Sequence, residues 1–93
     1  MLGSGDRAAV RQQIMAQVAE RGIDKTTCPS EVARALGGED WRSLMPLIRD
    51  VGAELLAEGL IDVTQKGNPV HPLTAKGPIR FRITPRGLKC WRV

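Results

Sequence analysis

The stretch EGLIDVTQKGNPVHPLTAKGPIRFRI, Glu58 to Ile83, decides the fold. Ile61 and Val63 alternate with Asp62 and Thr64, and Ile79, Phe81 and Ile83 alternate with Arg80, Arg82 and Thr84. A period of two places the apolar side chains of each strand on one face, so two half-buried strands are expected, the second with a basic outer face. Lys66 to Pro78 lies between them and contains Gly67-Asn68-Pro69, Pro72 and Gly77-Pro78, which predicts a long hairpin loop. Thr84-Pro85-Arg86-Gly87 ends the second strand. Leu88 and Trp91 come next, so the tail is expected to dock on a neighbouring surface.

Upstream the period changes to that of helices. Val10, Ile14 and Val18 recur at i, i+4 and i+8, with Met15 widening the stripe, and predict a helix from an Asp6 cap to Arg21. Gly22 is its stop, with Ile23 expected to fold back onto Val18. Lys25 to Cys28 reads as short and extended, and Pro29 suits the first position of a second helix over about 29–36 that buries Val32 and Leu36. Glu31, three residues after Cys28, sits where a capping acid belongs. Gly37-Gly38 breaks that helix. Leu44, Ile48, Val51 and Leu55 then mark one face of a third helix, which Gly59 ends, Leu60 reaching back to Leu55. Pro46 lies inside this pattern and is tolerated only near a helix start. Either residues 41–45 form a separate tight turn, or the helix begins close to Ser43.

The order is helix, short strand, helix, helix, strand, long loop, strand. The expected class is therefore α+β, three helices with a small antiparallel sheet, in the winged helix-turn-helix arrangement whose hairpin is the wing. One domain over residues 6–93 is expected, with Met1 to Gly5 a flexible start. The runs CPSEVARAL (Cys28 to Leu36), DWRSLMPLIR (Asp40 to Arg49), EGLIDVTQKG (Glu58 to Gly67) and GPIRFR (Gly77 to Arg82) resemble a small bacterial winged-helix family whose members are of unknown function. The resemblance covers about residues 8–83. It implies the fold and no particular activity. Because winged-helix proteins commonly pair through terminal elements, it also implies a homodimer, with Trp91 able to dock on its own domain or on a second copy.

Charge supplies the functional expectation. Of the net charge of +4, residues 1–62 carry −3, from seven basic and ten acidic side chains, and residues 63–93 carry +7 with no acid at all. A one-signed stretch beside a mildly acidic body is an electrostatic footprint for a polyanion, although solvated charge can also cluster. On the wing, Arg80 and Arg82 share a strand face while Lys66, Lys76 and Arg86 sit near its ends, a set suited to straddling a phosphate backbone. On the third helix, Arg42, Pro46 and Arg49 recur at i, i+4 and i+7, opposite the core stripe. Presented to a duplex, Arg42 and Arg49 would reach base edges or phosphates, and Ser43 would donate to a phosphate. Asp50, Glu54 and Glu58 form an acidic row on the same helix, which is expected to face basic residues of the first helix or solvent. The bland alternative makes Arg42 and Arg49 ordinary ion-pair residues.

Catalysis finds little support. His71, the only histidine, sits in a Pro-flanked loop with no Ser/His/Asp or Cys/His spacing around it. Cys28 and Cys90 are too far apart for a metal motif, and Gly37-Gly38 lacks the Lys-Ser/Thr of a phosphate loop. Cys28 before a helix suggests either a redox thiol or a small buried residue. Trp41 and Phe81 fit a core lid and a core residue better than stacking platforms. A chain of 93 residues buries roughly 60–65% of its extended surface, so a deep pocket would compete with its one core. No continuous apolar run reaches about 18 residues, so no membrane span is expected, and the default compartment is the cytoplasm. The expectation is a double-stranded DNA-binding domain, such as a transcriptional regulator, with neither catalysis nor cofactor nor metal. The rival is a protein-interaction module that uses its basic wing for an acidic partner.

Overall fold

In the computed structural model, which describes residues 6–91, helix α1 spans Asp6–Arg21 and buries Val10, Ile14, Met15 and Val18. Its stop is simpler than expected. Gly22 donates its N–H to the Val18 carbonyl at 3.0 Å, but Lys25 then donates to Gly22, and the chain turns away with Ile23 left 40% exposed. Helix α2 spans Pro29–Gly37, and the Glu31 carboxylate accepts the N–H of its capping residue, Cys28, at 3.0 Å. It buries Val32 and Ala33, with Leu36 half-buried against the same core.

Pro46 fixes where the third helix can start. The separate-turn alternative is the one observed: Gly38–Leu44 forms a 3-10 turn, kinked at Asp40, and helix α3 begins only at Met45, with Pro46 in its first turn, and runs to Ala57. Proline there lacks only an N–H that a helix start leaves free. The far end of α3 is a full Schellman stop. Leu60 donates to the Leu55 carbonyl and Gly59 to that of Leu56, both at 3.0 Å, while the Leu60 side chain folds into the core.

Strand β1 (Ile61–Gln65) comes directly after this stop. The expected long loop is split. Lys66 and Gly67, at φ 53° and 82°, make a two-residue turn into a short strand β2, Asn68–Pro69, which pairs with β1 through Thr64–Pro69 and Gln65–Asn68. Two successive positive φ values match the twist of a tight hairpin, and glycine accepts the second without strain. The chain then loops to strand β3 (Arg80–Ile83), antiparallel to β1 with Asp62 opposite Arg82, giving the order β2-β1-β3. The expected short strand before α2 contracts to one residue: Thr27 exchanges both backbone hydrogen bonds with Phe81, each 2.8 Å. After Ile83 the tail is helical, as α4 (Pro85–Trp91), held by the Gly87 N–H donating to the Thr84 hydroxyl. Leu88 rests on the core, while Trp91 stays 38% exposed.

One apolar core joins these parts. Ile14, Val18, Val32, Ile48, Val51 and Leu55 of the helices meet Ile61, Val63, Ile79, Phe81 and Ile83 of the sheet. Helix α3 packs on β3 at Gly52, where a Cβ would stand 2.9 Å from the Phe81 ring. The result is three main helices and a three-stranded antiparallel sheet, an α+β fold compatible with a winged helix. The flexible start expected at residues 1–5 lies outside the described residues, as do Arg92 and Val93.

Candidate nucleic-acid interface

The wing is fixed from two sides. Gln65, at the end of β1, donates its amide to the carbonyls of Lys76 and Pro78 at 2.5 and 3.1 Å. Arg49 of α3 reaches the same loop, donating to the carbonyls of Pro72 and Ala75 from one terminal nitrogen and of Gly77 from the other, at 3.1, 2.8 and 2.7 Å. His71 organises the loop internally: its Nδ1 accepts the Leu73 N–H, and its carbonyl accepts those of Thr74 and Ala75. The single histidine is thus built into a turn, and among the described residues no three His, Cys, Asp or Glu side chains group to hold a metal ion.

The cations on this frame divide. Lys66 is exposed at the hairpin turn, and the Gln65 hydrogen bond draws exposed Lys76 to the same end of β1. Arg80 projects from the outer sheet face, where its guanidinium donates to the Thr26 hydroxyl at 3.3 Å. None of these three pairs with a carboxylate among the described residues. Arg82 differs, because the cross-strand register puts Asp62 beside it, 3.5 Å away. Arg86 is separated from the group: it is on α4 with its side chain over Gly59, at the opposite end of the sheet from the hairpin turn.

The residues expected on the third helix fare otherwise. Arg42, Pro46 and Arg49 do not form one helical row, because Arg42 belongs to the 3-10 turn and Arg49 faces the loop. Ser43 donates its hydroxyl within its own turn, to the carbonyl and carboxylate of Asp40 at 2.8 and 2.9 Å, instead of outward. The Arg42 guanidinium stacks 4.4 Å from the centre of the Trp41 ring, and Arg34 of α2 stacks 4.7 Å from it. Trp41 is half-buried against the core, so it is a lid as expected, and it also gathers two cations. Sequence reading missed Arg34; its only signal is a place on the solvent side of α2, opposite Val32 and Ala33.

The acids of α3, and Glu58 that caps it, face α1. Arg7 binds Asp50 at 2.5 Å and also Glu54, and Arg11 binds both oxygens of Glu58 at 2.6 and 2.7 Å. These bonds hold the Glu58 carboxyl below the ordinary glutamate value and the Arg11 guanidinium above its own. Glu31 is lowered too, chiefly by the Cys28 N–H and then by Arg21. Cys28 is partly buried at the start of α2 and Cys90 exposed on α4. No described helix is long and apolar enough to cross a membrane.

A search among curated proteins gives no match. A family model described as a protein of unknown function, DUF3253, matches residues 7–84, from the second residue of α1 to just past the end of β3. That span contains the wing, its Arg49 and Gln65 anchors and the Trp41 cluster, and the chain belongs to this family.

Proposed function

We propose that the domain is a winged helix that binds double-stranded DNA by contact with backbone phosphates, led by the hairpin wing. One observation carries this reading. From Val63 onward the chain has no carboxylate side chain, and Lys66, Lys76 and Arg80 stand exposed, without an acid partner among the described residues, on a frame that Arg49 and Gln65 hold in place. A backbone already held needs little further ordering when phosphates arrive, and the cations it carries release counterions from the duplex. A bacterial cytoplasmic regulator that acts as a homodimer is the setting this reading implies. Pairing would run through α4, where Trp91 lines an apolar groove with Met15 and Leu60.

Fluorescence anisotropy of a labelled random duplex across salt concentrations tests the proposal. The three wing contacts alone give a log-log slope near −3, and thus at least roughly a fortyfold weakening between about 50 and 200 mM salt, which any further phosphate contact steepens. Absence of binding at the lower salt refutes it. The second reading, a module for an acidic protein partner, draws on Leu73, which is 55% exposed in the same loop as Lys76. It predicts binding to acidic amphipathic peptides that a duplex does not displace.

A further inference from the structure

We infer that the domain holds duplex DNA without reading its bases, because α3, the helix a winged helix would insert in the major groove, has its polar side chains already engaged by other groups of the protein. This rests on the phosphate-binding reading above. The sequence of α3 is MPLIRDVGAELLA, whose polar side chains are Arg49, Asp50 and Glu54. Asp50 and Glu54 are bound by Arg7. Arg49, the one donor, is engaged by three loop carbonyls, and a guanine presenting O6 and N7 would have to displace contacts already 2.7 to 3.1 Å long. The exposed remainder of the helix includes Pro46 and Ala57, which offer neither donor nor acceptor in their side chains.

Cations flank α3 instead of occupying it. Before the helix, Arg34 and Arg42 lie on the Trp41 ring, and a guanidinium stacked by its face keeps its N–H edge for a phosphate. After it, the Arg49-anchored loop carries Lys76 toward Lys66 at the hairpin turn. Glu39 and exposed Asp40 share the turn with Arg42, so the wing is the stronger of the two flanks. Two phosphate-binding flanks around a helix whose charged side chains are already paired or hydrogen-bonded suit a duplex of any sequence.

The experiment is a competition series with the full chain against equal-length duplexes that are A·T-rich, G·C-rich and mixed, followed by selection from a randomised pool. Affinities within about threefold and no enriched motif are expected, since one base-specific contact is worth roughly five- to a hundredfold or more per mismatch. Arg34→Ala with Arg42→Ala should weaken all duplexes alike and make the salt slope shallower by about 2. Arg49→Ala should leave the ratio between duplexes unchanged, and Arg49→Lys likewise. An enriched motif, or a tenfold preference that Arg49→Ala abolishes, overturns this inference and leaves phosphate binding standing. Failure of every duplex to bind at low salt removes both.

Discussion

The α1–α3 face and the wing carry similar numbers of charges and treat them in opposite ways. On the first, Asp50, Glu54 and Glu58 each meet an arginine of α1, so the acidic row is neutralised where it stands. On the second, Lys66, Lys76 and Arg80 meet no acid among the described residues, and only Arg82 is matched, by Asp62. Exposed ion pairs contribute little to stability, a few tenths of a kcal/mol to about 1 kcal/mol each. The contrast is therefore one of availability more than of strength. Arginines of α1 neutralise the carboxylates of α3 and of Glu58, while the wing leaves Lys66, Lys76 and Arg80 without an acid among the described residues.

The two faces share one core, and cutting it should have the largest effect. Phe81 is fully buried against Gly52, and Phe81→Ala should lower unfolding free energy by about 3–5 kcal/mol in a urea titration. A loss under about 1 kcal/mol would mean that the wing is not fastened to α3 through this ring. Next in size is Arg49→Ala, which releases three carbonyls of the loop and should cost about 1–3 kcal/mol. Faster amide exchange over residues 73–79 would locate the damage, and Arg49→Lys should restore only part of it, because a single ammonium cannot span three acceptors.

Removing the free cations should leave the fold almost untouched. Lys66→Ala, Lys76→Ala and Arg80→Ala together should change stability by no more than about 0.5 kcal/mol, yet lower duplex affinity and flatten its salt slope by nearly 3. An unchanged slope would show the wing is idle toward phosphates. The smallest expected effect is on the paired side. Glu31 and Glu58 titrate below the ordinary 4.5, so the stability they add is complete above that pH. It is lost as pH falls from there through the lowered folded-state values. Both side chains are more than a third exposed, so a Glu31→Gln, Glu58→Gln variant should differ from the parent by a few tenths of a kcal/mol at neutral pH and converge with it in acid.

Much of this was legible in the sequence because burial imposes a period. The stripes Val10–Ile14–Val18 and Leu44–Ile48–Val51–Leu55, and the alternation at Ile61–Val63 and Ile79–Phe81–Ile83, each mark buried faces of the structure. The Leu60–Leu55 stop was equally readable. What escaped was decided by long-range hydrogen bonds that leave no periodic trace. Arg49 looks from its spacing like a base reader, and only the return of the loop carbonyls gives it another partner. The tight turn at Lys66-Gly67 was hidden by the prolines downstream of it, since Pro69 sits at an edge position that needs no N–H. Helix α4 was hidden by Pro85 and Gly87, which resemble turn residues, although proline is at home at a helix start. Ile23, read as folding back onto the first helix, stays 40% exposed where the chain turns at Gly22.

The single-residue pairing of Thr27 with Phe81 bears on how the molecule behaves in a crowd. A strand at the margin of a sheet invites a foreign strand to continue it. Thr27 takes both main-chain groups that Phe81 directs to that margin, and the opposite margin carries Pro69, which has nothing to donate. Neither side offers an unbroken ladder, so a chain with so small a sheet is guarded against stacking into fibres by one threonine and one proline.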